Sequence, residues 1–109
     1  AGYSFVEATG DRSYWGRQVE TAVGAHLINT ASEDSAIQYW RESPHEVDFV
    51  LTNGRKILAI EVKGGTKYAT PKGLEVFSGK FQEARTMIVG EGGVSLAEFL
   101  SYPAEHWLE

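Results

Sequence analysis

Residues 46–63, Glu46-Val47-Asp48-Phe49-Val50-Leu51-Thr52-Asn53-Gly54-Arg55-Lys56-Ile57-Leu58-Ala59-Ile60-Glu61-Val62-Lys63, decide the fold. Two apolar runs flank Asn53-Gly54, and Asn-Gly between alternating apolar residues is the strongest short-range hairpin signal. The stretch predicts two antiparallel strands with Asn53-Gly54 as a two-residue turn. Thr52 then pairs with Arg55, Asp48 lies opposite Ala59, and Glu46 lies opposite Glu61. Asp48 and Glu61 become diagonal neighbours on one face, within reach of one metal ion. Lys63, two residues beyond Glu61, projects to the same side because strand side chains alternate with period two.

The opposite face carries Val47, Phe49, Leu51, Leu58, Ile60 and Val62, while Val50, Ile57 and Ala59 make the acidic face apolar near the turn. A strand pair apolar on both sides needs helices on both sides, which predicts an α/β fold, a three-layer α/β/α sandwich around a mixed sheet of about four strands. Two carboxylates and a lysine at its edge are costly to bury unless they pair or bind an ion. An ordinary Glu61–Lys63 or Asp48–Lys63 ion pair on a wet strand end accounts for the triplet as well.

Helical spacing extends the pattern upstream. Tyr14, Trp15, Val19, Ala22, Val23, Leu27 and Ile28 define an amphipathic helix over Asp11–Asn29, with Thr9 or Asp11 as N-cap. Glu20 borders that stripe, with Gly16 one turn before it and Gly24 one turn after. Two glycines, each unfavourable in a helix by about 1 kcal/mol relative to alanine, imply a close approach to the sheet with Glu20 aimed inward. A solvated glutamate at the stripe's border is the plainer alternative.

Gly16-x-x-x-Glu20, the Glu46–Val50 strand and Ile60-Glu61-Val62-Lys63 together resemble the core of the PD-(D/E)XK nuclease superfamily. More closely, the chain is similar to the nuclease-like domain at the C-terminal end of bacterial and archaeal AAA+ ATPases, a domain of formally unknown function. The similarity continues through Lys72-Gly73-Leu74, Met87-Ile88-Val89-Gly90 and Ser95–Leu100. It implies a restriction-endonuclease-like fold and a DNA-cleaving site using Mg²⁺ or Mn²⁺. Asp48 and Glu61 would be metal ligands with the Val62 carbonyl, Glu20 would complete the ion's shell, and Lys63 would position or deprotonate the attacking water. Ser43-Pro44 precedes the second strand, so the family's proline is not adjacent to Asp48. The implied partners are DNA and an AAA+ ATPase domain in the same full-length chain; a silent fold kept as a regulatory module of that ATPase is the alternative.

The residue chemistry is compatible with that assignment. Oxygen ligands without cysteine suit Mg²⁺ or Mn²⁺ better than zinc, and a lysine beside such an ion stabilises developing charge. With 109 residues, 42% hydrophobic, the chain is expected to form one domain. The start at Ala1 reads as a fragment of a larger protein. No cysteine, signal peptide or membrane-spanning run is present, so a cytoplasmic setting is expected. Net charge is −5, yet residues 63–85 carry five basic and two acidic residues, a local +3 where a phosphate backbone could lie. A solvated basic surface explains them equally.

The remaining segments supply scaffold. Ala36–Arg41 reads as a strand before the hairpin, Thr70-Pro71 as the start of a helix to about Phe81, and Thr86–Val89 as a buried strand parallel to the Glu61 strand. Leu96–Leu100 and Pro103–Leu108 read as short closing helices. Gly90-Glu91-Gly92-Gly93 is a turn lacking any phosphate-loop spacing; His26, His45 and His106 are too scattered for zinc; Trp15, Trp40 and Trp107 read as packing residues.

Overall fold

The computed structural model describes residues 12–63 and 72–109. Helix α1 (Arg12–Thr30) is followed by β1 (Ala36–Glu42), β2 (His45–Asn53) and β3 (Lys56–Lys63). Helix α2 (Lys72–Lys80), strand β4 (Arg85–Gly90) and helices α3 (Leu96–Leu100) and α4 (Ala104–Leu108) complete the chain. The strands form one sheet in the order β1-β2-β3-β4; β1, β2 and β3 pair antiparallel, and β4 is parallel to β3. This is the mixed α/β sheet that the hairpin and the apolar 86–89 run predict.

Apolar residues on both faces of the central strands are covered from both sides. Val23 and Leu27 of α1 pack with Leu51, Leu58, Ile60 and Val89 of the sheet and with Phe99, Ala104 and Leu108 of the closing helices. Leu74 and Phe77 of α2 cover the other face over Val47, Val50 and Ala59. Each such fully buried aliphatic or aromatic side chain contributes roughly 1.5–3 kcal/mol. Within α1 the predicted stripe is narrower than expected: Val19, Val23 and Leu27 are buried, but Ile28 is 69% exposed. Its Tyr14 and Trp15 side chains, and the caps expected at Thr9, Asp11 and Thr70-Pro71, lie outside the described residues.

The hairpin register differs from the expected one. The ladder runs Asn53↔Lys56, Thr52↔Ile57, Leu51↔Leu58, Val50↔Ala59 and Phe49↔Ile60, so Gly54-Arg55 is the turn. An Asn53-Gly54 type I′ turn requires positive φ at both residues. Here Gly54 has φ 61° and no described non-glycine residue has positive φ, the pattern of a turn needing glycine at its first position only. The slip is two residues, so side chains keep their predicted faces at the turn end. Asp48, expected opposite Ala59, now lies just beyond the last pair of the ladder, Phe49↔Ile60.

A second departure lies on the β1 side. Gln38 pairs with Val50 but Trp40 pairs with Val47, so Tyr39 faces two residues of β2, Asp48 and Phe49. This β-bulge reverses the alternation beyond it. Strict alternation predicts Val47 on the face of Phe49 and Leu51; the bulge instead turns Val47 to the α2 side with Val50.

The turn assignment predicts that Gly54→Val loses about 1–2 kcal/mol, because a β-branched residue resists the left-handed conformation. Arg55→Ala stays within about 0.5 kcal/mol of the parent. Chemical denaturation of the two variants measures the difference.

A candidate active site of converging carboxylates

Glu20 reaches the sheet because α1 lies close to it one turn further on. A Cβ at position 24 would come within 2.9 Å of the Phe49 ring, so Gly24 admits that ring against the helix backbone. The close approach expected from the glycine spacing is thus present at Gly24. Glu20 is half-buried, with its carboxyl within hydrogen-bonding reach of Asp48. Asp48, on the bulge of β2, accepts a hydrogen bond at Oδ2 from the Val62 N–H at 2.8 Å, where β2 and β3 cease to pair. Its carboxyl also reaches that of Glu61 on β3. Glu20, Tyr39, Glu46, Val47 and Asp48 line a small cleft of about 180 Å³.

Burial and the contacts among the carboxyls dominate the electrostatics. Glu20 is pushed from its ordinary 4.5 up to about 7, first by the hydrogen bond it shares with Asp48, then by burial and by the Asp48 and Glu46 charges. Asp48 is raised from 3.8 to about 6, mainly by burial and further by Glu61, against the opposing hydrogen bonds from Glu20 and the Val62 N–H. Glu61 is raised too: burial and the Glu20 and Glu46 charges outweigh the Asp48 hydrogen bond and the Lys63 charge, which pull it down. The three carboxyls are thus close enough that a proton on one relieves the repulsion felt by its neighbours.

Three of the four side chains singled out in the sequence, Glu20, Asp48 and Glu61, therefore converge from three elements. Lys63 closes β3, half-buried, and its charge acts on Glu61. It makes no ion pair with Glu61 or Asp48; among the described residues the ion pairs are Arg41–Glu46 at 3.6 Å and Lys80–Glu42 at 3.0 Å. Val62 contributes its N–H to Asp48. Among the described residues no three His, Cys, Asp or Glu side chains stand in a finished metal-holding arrangement. The donor chemistry nevertheless fits a hard divalent cation, since the cluster is all oxygen and short of positive charge.

Two residues of the cleft escaped the sequence reading. Glu46 adds negative charge to Glu20 and Glu61, and its place in the same run as Asp48 could have revealed it. Tyr39 enters only through the bulge, which no local pattern announces. Other expectations resolve simply. Trp40 packs edge-on against Phe77 and Trp107 stacks on Phe99, so both are partly buried packing residues at the border of the core. His26 bonds the Tyr102 carbonyl at 2.6 Å and His106 stacks on Tyr102. Val94 N–H to Ile88 O at 2.9 Å closes the Gly90–Gly93 turn. In the basic stretch, Lys80 is held by Glu42, and Arg85 bonds the carbonyls of Leu108 and Glu109; Lys67 lies outside the described residues.

The fold and the cleft define a small α/β domain built around a carboxylate cluster. The chain matches the family described as Domain of unknown function (DUF4143) over residues 15–100, and it belongs to that family. No curated protein and no solved structure matches it. No described helix is long and apolar enough to cross a membrane.

Raised carboxyl pKa values fix the sign of a pH effect. The folded state binds protons at Glu20 and Asp48 that the unfolded chain releases near pH 4, so their stabilisation is complete below about pH 4 and is lost as pH rises through about 6 and 7. Without divalent ions, the melting temperature of the parent should fall between pH 4 and 8 relative to Glu20→Gln. Parallel melting curves for the two proteins across that range would contradict the shared-proton cluster.

Proposed function

We propose that this domain is a metal-dependent nuclease of restriction-endonuclease-like topology that hydrolyses DNA phosphodiester bonds, in the service of an AAA+ ATPase domain of its full-length protein. The observation that carries this reading is the meeting of Glu20, Asp48 and Glu61 at one hairpin end, beside Lys63. Asp48, Glu61 and the Val62 carbonyl would hold Mg²⁺ or Mn²⁺, with Glu20 completing the shell. When bound, the ion supplies a water of lowered pKa and neutralises charge on the phosphate. The Val62 N–H fixes one Asp48 oxygen, and the ion would take the place of the protons between Asp48 and its neighbouring carboxyls. The Lys63 ammonium stabilises developing negative charge and assists proton transfer from the attacking water.

The net charge of −5 favours a second reading, a silent nuclease-like fold kept as a binding or regulatory module. Metal titration and cleavage separate the two. Saturating Mn²⁺ at about a hundredfold over the dissociation constant should stabilise the parent by about 2.7 kcal/mol, a rise of roughly 10 °C or more in melting temperature for a domain of this size. Lys63→Met should keep that shift but lose at least about a hundredfold in cleavage rate, and Glu61→Gln should lose both. Plasmid, linear duplex and single-stranded DNA all left uncut by the parent with Mg²⁺ and with Mn²⁺ would hand the site to the second reading.

A further inference from the structure

We propose that Tyr39 is a stacking platform for an unpaired deoxynucleotide, so that the site takes single-stranded DNA or a frayed end in preference to a closed duplex. This rests on the nuclease reading and names the substrate class of the same site. Strand β1 is the outer strand of the sheet, and Tyr39 is 74% exposed, more than any other large hydrophobic side chain among the described residues. It stands across from the bulge that carries Asp48.

Tyr39 also lines two depressions. One is the cleft it shares with Glu20, Glu46 and Asp48. The second is a shallow depression of about 560 Å³ that it lines with Gln38, Trp40 and Arg41. The Trp40 ring is committed to the core against Phe77, which leaves Tyr39 as the exposed aromatic of this surface. Arg41, exposed and paired with Glu46 at 3.6 Å, sets a guanidinium beside the acidic cleft. Carboxylates, a cation and a bare aromatic ring are thus presented together, the groups that a metal-held scissile phosphate, a neighbouring phosphate and an unpaired base would engage. A ring can stack on a base whose face is free, and within a closed duplex each face is already covered by a neighbouring base pair. Stacking is tolerant of base identity, so the preference is for strandedness and not for sequence.

The test measures binding and cleavage separately. A short single-stranded oligodeoxynucleotide carrying 2-aminopurine, titrated with the protein in Ca²⁺, should be quenched by the parent and by Tyr39→Phe. Tyr39→Ala should lose the quenching and weaken binding by about five- to a hundredfold, with an unchanged melting temperature. A blunt duplex of the same sequence should bind the parent and Tyr39→Ala alike. Equal quenching by parent and Tyr39→Ala, no quenching by the parent, or equal parental affinity for duplex and single strand overturns the platform. Cleavage of the same oligonucleotides with Mg²⁺ then separates the readings. Cutting with the same strandedness ratio in parent and Tyr39→Ala removes the platform and leaves the nuclease; intact stacking without cutting removes the nuclease and leaves the platform as a binding surface.

Discussion

Negative charge gathered at one end of the β2–β3 hairpin is the constraint to which the rest of the domain answers. At an effective dielectric constant near 20, two unit charges about 4 Å apart repel by about 4 kcal/mol. That is comparable to the burial of two apolar side chains such as Val23 and Leu27, the anchors of α1 on the sheet. The helix could not hold Glu20 against a fully ionised Asp48 and Glu61 without spending most of what fastens it. Protonation of a carboxyl relieves that repulsion. The upward shifts of all three acids combine burial with their mutual contacts.

The layers divide the work accordingly. Asp48 and Glu61 stand just past the last backbone pair of the hairpin, Phe49↔Ile60, where the Asp48 carboxyl takes the Val62 N–H in place of a strand partner. Helix α1 supplies the third acid through a contact in which backbone meets the Phe49 ring. Helix α2 backs the opposite face through Leu74 and Phe77 and brings no acid to the cluster, which makes it a support and not a participant. Lys63 sits where β3 ends, and its charge reaches Glu61.

Much of this was legible in the residues. The hairpin, its two apolar sides, the parallel return of β4 and the inward aim of Glu20 all follow from periodicities of 2 and 3.6 and from the spacing around Gly24. The turn was misplaced because Asn-Gly and Gly-Arg both offer a glycine in a suitable position, and only the backbone angles tell a type I′ from a glycine-first turn. That error left side chains near the turn on their predicted faces because it moved the register by an even number of residues. The bulge opposite Tyr39 could not be anticipated: it depends on how β1 meets β2, a contact between strands, and it decides both where Val47 points and whether Tyr39 belongs to the cleft. Ile28 departs from its stripe because the short closing helices, which set how much of α1 is covered, are placed by tertiary packing.

The same bulge bears on the solubility of the chain. An outer strand with regular pairing presents a straight row of free amide and carbonyl groups, a template onto which a second molecule can add a strand. An extra residue in the neighbouring strand increases the local twist and bends the ladder, and a twisted border is a poor match for another flat strand. In β1 this distortion falls at Tyr39, the most exposed large hydrophobic side chain among the described residues and so a point in need of it, and Arg41 and Glu42 add charge just beyond. Straightening the strand to regularise the sheet would therefore trade away a guard against intermolecular β-pairing and aggregation.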